Sequence, residues 1–149
     1  MNVEYRDFEE QDFSALRDMM YCLYEEDPEG QALDDAKIEK TIRENAAHPE
    51  KIRICMIFAD GIIAGYCIVC FAWSNEYGGD ILIIDELYIK KEYRNDRLAS
   101  EFIMHQMRAY TNVAAIAVEA TPSNEAAVRL YKRLGFEASP NDHLVLSLS

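Results

Sequence analysis

A strand, a loop and a helix follow one another between residues 80 and 110, and this succession limits the fold more than any other part of the chain. Asp80 to Ile89 is a run of aliphatic residues typical of a buried strand, and the apolar spacing from about Arg97 to Tyr110 predicts a helix. The run from Val113 to Ala120 predicts another strand. Two such strands joined by a helix lie parallel with a right-handed crossover. The pattern therefore predicts an α/β protein.

The remaining elements give the order β-α-α-β-β-β-α-β-α-β-β. We expect them at residues 3–8, 12–24, 34–47, 52–59, 62–73, 80–89, 97–110, 113–120, 124–134, 136–138 and 144–148. Asp60-Gly61 is a strong signal for a two-residue hairpin, and Gly135 is placed to end the last helix. The early strands are then antiparallel, and helices cover both faces of the sheet. Because no linker or repeat interrupts the order, we predict one domain spanning 1–149.

Charge narrows the possible partners. The 149 residues include 27 acidic and 15 basic side chains, for a net charge of −12. Such a surface repels nucleic acid and anionic membranes and attracts cations, which favours an amine or polyamine ligand. An acidic surface that only maintains solubility explains the same charge. The start of the chain has neither the basic nor the apolar segment of a signal peptide, so we expect a cytoplasmic protein.

The cysteines and histidines predict no metal site. Cys67 and Cys70 form a CxxC, but strand alternation sends their side chains to opposite faces. We therefore expect buried reduced thiols. The three histidines, His48, His105 and His143, are scattered along the chain without metal-ligand spacing.

Two segments carry motifs. The first reads Leu87-Tyr88-Ile89, a turn, and then Arg94-Asn95-Asp96-Arg97-Leu98-Ala99 at a helix start. The second is N-x-x-A-x-x-L-Y-x-x-x-G-F, matched at Asn124, Ala127, Leu130, Tyr131, Gly135 and Phe136. With these motifs in this element order, the chain resembles the GNAT superfamily of acetyl-CoA-dependent N-acetyltransferases. The resemblance implies a mixed, largely antiparallel sheet of about six to seven strands flanked by four helices, with a splayed parallel pair at the cofactor site.

The resemblance also implies an acetyl-CoA site. A helix start offers free amides and a positive dipole end to a pyrophosphate, here over Arg94, Asn95, Asp96, Arg97, Leu98, Ala99 and Ser100. The Leu87 amide would polarise the thioester carbonyl, Tyr88 continues the motif, and Ile89 would pair with the pantetheine arm. Asn124 would touch the cofactor as well as cap its helix. The chain departs from the motif because Arg97 occupies the position of a glycine, and Asn95 is the residue expected to adopt left-handed backbone in its place.

The catalytic candidates are Asp85, Glu86 and Tyr131. An amine must lose a proton before it attacks, and a carboxylate within an apolar strand has a raised pKa suited to that step. Alternation places Asp85 with Ile83, Leu87 and Ile89, and Glu86 with Ile84 and Tyr88. Asp85 is favoured as the base, with Glu86 close behind and Glu119 a weaker third. The alternative is that either acid only pairs with an Arg or Lys.

Tyr131 has the clearest role by resemblance, because in the family this tyrosine protonates the departing thiolate. The alternative is a tyrosine packed as core. Acceptor binding is expected at Tyr24 and Glu25 with Glu26 and Asp27, and at Trp73 and Glu76 with Ser74, Asn75 and Tyr77, where acids and aromatics suit a cation. The sequence does not identify the acceptor, which is either a small amine or a protein N-terminus. A non-catalytic module that binds acyl-CoA or a protein partner is the rival function. The resemblance also implies a homodimer, which is common in the family.

Overall fold

The computed structural model describes residues 1–28, 30–121 and 123–148, with the backbone alone for Asn95 and Asp96. Glu29, Pro122 and Ser149 lie outside the described residues. The chain forms two compact units, one spanning residues 1–119 and the other residues 120–149.

The first unit contains a sheet in which five described strands lie in chain order. They are β1 (Val3–Asp7), β2 (Ile52–Ala59), β3 (Ile62–Ser74), β4 (Gly79–Ile89) and β5 (Ala115–Val118). The first three ladders are antiparallel and the ladder between β4 and β5 is parallel. Helix α3 (Leu98–Ala109) makes the crossover between β4 and β5, as the sequence predicts. The predicted mixed α/β architecture is confirmed.

The hairpin between β2 and β3 forms at the predicted dipeptide. Asp60 has φ 50° and Gly61 has φ 78°. Positive φ at both central residues is the backbone that a two-residue turn requires to match the twist of its strands. The turn fixes the pairing of Ala59 with Ile62 and of Phe58 with Ile63, beyond which the register shifts by one residue at Ile57.

Helices cover both faces of the sheet. On one face α1 (Phe13–Glu26) and α2 (Asp35–Ala47) bury a cluster with β2, β3 and β4. Its members are Leu16, Met19, Met20, Ile38, Ile54, Met56, Tyr66, Ile68 and Tyr88. Helix α3 buries Phe102 against the ring of Tyr5, with ring centroids 5.2 Å apart. Burial of this apolar area is the main force that holds the layers together.

The second unit contains α4 (Glu125–Arg133) and a C-terminal segment in which residues 134–148 form no strand. The predicted strands at 136–138 and 144–148 are therefore wrong, and the described sheet has five strands rather than six or seven. Leu144 and Leu148 are 91% and 93% exposed. An alternating apolar pattern becomes a strand only beside a strand that completes its ladder, and this segment has none among the described residues.

None of the described helices combines the length and the apolar character needed to cross a membrane.

Candidate active site

The parallel pairing of β4 with β5, the last strand of the described sheet, stops partway along β4. Their ladder joins Ile81–Ile84 to Ala115–Val118, and over the described residues it ends there. Strand β4 continues to Ile89, paired only with β3 on its other side. The carboxyl half of β4 therefore has an open edge, and Asp85 and Glu119 are the first residues beyond the ladder. The splay implied by the resemblance is present.

A β-bulge lies at Asp85. Ile84 pairs with Val69 and Glu86 pairs with Ile68, so Asp85 is an extra residue in β4. An extra residue shifts the alternation of side chains between the two faces. Glu86 consequently shares the face of Ile68, whereas Ile84 lies on the opposite face with Val69. The prediction that Glu86 and Ile84 share a face is wrong, because alternation assumes an uninterrupted ladder.

Glu86 lies between two tyrosines on the α1 face. The Tyr24 hydroxyl donates to Oε2 at 2.6 Å and the Tyr66 hydroxyl donates to Oε1 at 2.8 Å. Burial raises the pKa of Glu86, the two hydrogen bonds lower it in part, and the charge of Asp85 raises it again. Burial and the carboxylate also raise the pKa of both phenols, so both hydroxyls stay protonated donors.

Asp85 differs from its neighbour in being exposed. Its pKa is raised, first by partial withdrawal from water and then by the negative charge of Glu119. No Arg or Lys in the described part of the chain forms an ion pair with Asp85 or Glu86. The alternative that one of these acids only neutralises a basic side chain is therefore excluded among those residues.

The loop after β4 presents an open helix start. Residues Lys91–Asp96 form a 3-10 turn, and Arg97 follows with φ 61° and ψ 21°, a left-handed backbone. Arg97, rather than Asn95, thus takes the conformation for which the family's motif has glycine. The first intrahelical bond of α3 runs from the Glu101 amide to the Arg97 carbonyl at 3.0 Å. The amides of Leu98, Ala99 and Ser100 precede this bond, and the Arg97 side chain does not cap them.

Helix α4 has the caps that its sequence predicts. The Asn124 side chain accepts a hydrogen bond from the Ala127 amide at 3.2 Å. At the other end Gly135 has φ 100°, and the Phe136 amide returns to the Tyr131 carbonyl at 3.0 Å. This is a Schellman motif, which glycine favours. Tyr131 is half-buried and meets the Phe136 ring edge-on, with centroids 5.8 Å apart.

The model of the acetyltransferase (GNAT) family matches residues 16–136, most of the chain. The chain belongs to the GNAT acetyltransferase family. No curated protein matches the chain in sequence.

Solved GNAT-like structures agree with the fold. The structure of a possible acetyltransferase from Clostridium difficile 630 has a TM-score of 0.83 at 19% identity and covers 100% of both chains. A ribosomal-protein-alanine N-acetyltransferase from Brucella melitensis biovar Abortus 2308 has a TM-score of 0.78 at 14% identity, covering 99% of this chain and 100% of its own. AAC(6')-Iy, in complex with the bisubstrate analog CoA-S-monomethyl-acetylneamine, has a TM-score of 0.77 at 17% identity, with 100% of both chains covered. At these identities the likeness establishes the fold.

Arg94, the first residue of the GNAT loop motif, has its side chain engaged within the protein. Its Nε donates to the Ile89 carbonyl at 2.8 Å, and Nη2 donates to both carboxylate oxygens of Glu26 at 2.7 and 3.0 Å. The guanidinium also lies 5.3 Å from the centre of the Tyr88 ring. These contacts tie the loop after β4 to the end of α1. The side chains of Asn95 and Asp96 lie outside the described part of this loop.

The predicted acceptor residues separate into two groups. Tyr24 contacts Glu86, and Glu25 is exposed beside it on α1. Trp73 pairs with Asp80, and Glu76 lies in the turn that follows β3. Along β3, Trp73 is five residues from Ile68, the residue that pairs with Glu86. At about 3.4 Å per residue this is about 17 Å along the sheet. The structure brings Tyr24 to Glu86, but Trp73 and Glu76 lie at the turn between β3 and β4.

Tyr66 is the site residue that sequence reasoning missed. It lies within the apolar run of β3, and its side chain is fully buried. A buried tyrosine hydroxyl requires a hydrogen-bond partner, and an acidic residue in an adjacent buried strand is a natural one. That signal was available in the sequence, but the pairing with Glu86 depends on the register of β3 and β4.

The cysteines and the other side chains that could bind a metal ion are the remaining candidate groups. All four cysteines are free, and Cys70 packs against the α1 cluster, whereas Cys67 is buried on the other face. Across the described residues, no group of three His, Cys, Asp or Glu side chains is arranged to hold a metal ion.

Proposed function

We propose that this GNAT protein is an N-acetyltransferase that moves an acetyl group from acetyl-CoA to the primary amine of a small, cationic acceptor. The observation that carries the proposal is the open edge of β4 from Asp85 to Ile89, which leads into the uncapped start of α3. The open edge of β4 offers backbone hydrogen-bonding groups that would pair with a pantetheine arm. The start of α3 offers free amides that would bind a pyrophosphate.

The residues of the loop fit this cofactor. Left-handed backbone at Arg97 turns the chain so that the amides of Leu98, Ala99 and Ser100 begin the helix without a side-chain cap. Such amides stabilise a pyrophosphate by hydrogen bonds and by the helix dipole. Acetyl-CoA supplies the activated thioester. Leu87 and Ile89, on the open edge, would bind the thioester carbonyl and the pantetheine amides through their backbone, with Asn124 contributing from α4.

The acids at the parting of β4 and β5 would remove a proton from the acceptor ammonium. Asp85 and Glu86 both have a raised pKa and no basic partner among the described residues. A carboxylate with a raised pKa is a stronger base while it is still ionised near neutrality. Tyr131 would return a proton to the thiolate that leaves, the role that the family motif gives it.

A cationic acceptor is supported by charge. The chain carries a net charge of −12, and the acids at the site are joined by Glu25 and Glu119. A negative field raises the local concentration of ammonium ligands and their rate of association. The AAC(6')-Iy structure is a complex with the bisubstrate analog CoA-S-monomethyl-acetylneamine. This likeness supports an amine acceptor.

A non-catalytic acyl-CoA-binding module is the second candidate. It is favoured by Arg97 at the position of a glycine and by Arg94, whose guanidinium is held by Glu26. Calorimetry with acetyl-CoA, followed by mass spectrometry of products from spermidine, kanamycin, lysine and a peptide with a free N-terminus, separates the two. An enzyme binds acetyl-CoA and gives acetylated product, with turnover reduced in Tyr131→Phe. A module binds acetyl-CoA and gives no product.

A further inference from the structure

The Glu86 carboxylate is held from two directions. Tyr66 of β3 donates to one oxygen, and Tyr24 of α1 donates to the other. The Tyr66 side chain is fully buried, so its hydroxyl has a fixed position set by the core around it. A carboxylate oxygen has two acceptor sites. Each oxygen of Glu86 can therefore accept a proton or a further hydrogen bond while the tyrosines keep the group in place.

This arrangement differs from that of a carboxylate that only anchors two elements. Removing a carboxylate from water is costly, and proteins usually offset the cost with a basic partner. The described residues give Glu86 two neutral donors instead. Neutral donors stabilise the ionised form without neutralising its charge, which leaves the carboxylate able to accept a proton. Glu86 also precedes Leu87 directly, and Leu87 is the residue proposed to bind the thioester.

We propose that Tyr66 and Tyr24 are positioning residues that hold Glu86 as the general base of acetyl transfer. The inference rests on the proposed function. The acceptor ammonium gives one proton to the Glu86 carboxylate, and the neutral amine is the nucleophile. Overall, ammonium and acetyl-CoA give the acetamide, free CoA thiol and one proton, with the C–S bond broken and the C–N bond formed. Glu86 releases its proton to solvent, and the second amine proton also passes to solvent as the tetrahedral intermediate collapses. Tyr131 would give its proton to the departing thiolate and regain one from solvent.

The titratable groups that face Glu86 determine the sign of the pH effect. Tyr24 from α1, Tyr66 and Cys70 from β3 and Asp85 from β4 surround it, and Cys67 of β3 interacts with it electrostatically from the other face. The thiols and phenols have raised pKa values and stay neutral, so Asp85 is the charged neighbour. Phenol donors favour the ionised carboxylate. Losing one donor therefore raises the pKa of Glu86 and moves the acid limb of the rate profile to higher pH.

The test is the pH dependence of kcat/KM with acetyl-CoA and one acceptor from the amine panel. A hydrogen bond to a charged group corresponds to a shift of about one pH unit. Tyr66→Phe and Tyr24→Phe should each move the acid limb up by about that amount, with a loss of about tenfold below the limb and a smaller change on the plateau. Tyr21→Phe is the matched control, because it removes a tyrosine–carboxylate hydrogen bond, to Asp35, from the same helix. Its limb should not move.

Glu86→Gln should reduce kcat by about 10² to 10⁴. The inference is overturned if the limb is unmoved in both phenylalanine variants, if Tyr21→Phe moves it equally, or if Glu86→Gln keeps full activity while Asp85→Asn abolishes it. If Tyr66→Phe fails to fold, the half-buried Tyr24 decides the result by itself. If the wild-type protein neither binds acetyl-CoA nor forms product, the proposed function is contradicted. If the wild type is active but the acid limb is unmoved in Tyr66→Phe and Tyr24→Phe, only this inference is contradicted.

Discussion

Nη2 of Arg94 donates to both carboxylate oxygens of Glu26, which joins the loop after β4 to the last turn of α1. Nε of the same guanidinium holds the Ile89 carbonyl. One side chain therefore connects α1, the open half of β4 and the loop that we propose binds the pyrophosphate. Because Nε and Nη2 donate within the protein, Arg94 holds the loop in place through these atoms.

Arg94→Gln should therefore weaken binding of the acetyl donor whether or not that donor carries a pyrophosphate. We expect KM to rise several-fold for both acetyl-CoA and S-acetylpantetheine, which lacks the nucleotide, because the loop and the Ile89 carbonyl lose their tie. Glu26→Gln should give the same pattern at smaller size, since partly exposed ion pairs contribute roughly 0.2–1 kcal/mol. Steady-state kinetics with the two donors measures the effect. A rise confined to acetyl-CoA would show a direct phosphate contact and contradict the account.

Replacing Arg97 by glycine should stabilise the protein. A non-glycine residue at φ 61° carries a steric cost of about 1 kcal/mol that glycine does not have. We expect Arg97→Gly to raise the free energy of unfolding by up to about 1 kcal/mol, measured by urea denaturation. Arg97→Ala is the control, because it removes the guanidinium and keeps most of the backbone cost. If alanine stabilises as much as glycine, the backbone explanation is wrong.

Gly65 permits the close approach of β3 to β4. A methyl group at this position would overlap with the Tyr88 carbonyl oxygen and lie 3.3 Å from the Ile89 Cα. Both contacts are backbone atoms that cannot rotate away. Gly65→Ala should cost about 2–3 kcal/mol of unfolding free energy and weaken acetyl-CoA binding by displacing Tyr88 and Ile89. Gly79→Ala, whose methyl would meet the Ala114 Cβ at 3.0 Å, should cost less. Equal costs would contradict the assignment.

Acid should weaken the first unit through Asp12. Arg6 donates to its two oxygens at 2.7 and 3.0 Å, and the Glu9 amide donates at 2.9 Å. The Arg6 hydrogen bond is the main cause of a lowered pKa for Asp12. A lowered folded-state pKa gives stability that is complete above the unfolded value of about 4 and is lost as the pH falls toward the folded value. Asp12→Asn should lower stability at pH 7 and flatten this dependence below pH 4, as urea midpoints would show. An unchanged slope would contradict this prediction.

Local signals predicted much of the fold because they act within a few residues. Asp60-Gly61 forms the hairpin turn, and Gly135 ends α4, since both depend on positive φ. The parallel unit around α3 follows from apolar runs of the right length. Asp12 shows the limit of such signals. It occupies the predicted N-cap position of α1, yet its side chain binds Arg6 and the Glu9 amide and does not cap the helix.

The details of the site could not be derived from local pattern, because they depend on how separate strands pair. The bulge at Asp85 is visible only in the register with β3, and it decides which face Glu86 occupies. The contacts of Tyr24 and Tyr66 with Glu86 span 62 and 20 residues of sequence. The separation of Trp73 from Glu86 follows from the length of the hairpin that β3 and β4 form, because Trp73 lies next to its turn and Glu86 lies well along β4.

The central claim is that the open half of β4 and the start of α3 bind acetyl-CoA for transfer to an amine. The most direct measurement is isothermal calorimetry of the full chain with acetyl-CoA, with mass spectrometry of the amine panel under the same conditions. The account predicts stoichiometric binding, acetylated product from at least one cationic amine, and loss of product in Glu86→Gln with binding retained. No acetyl-CoA binding and no acetylated product would contradict it.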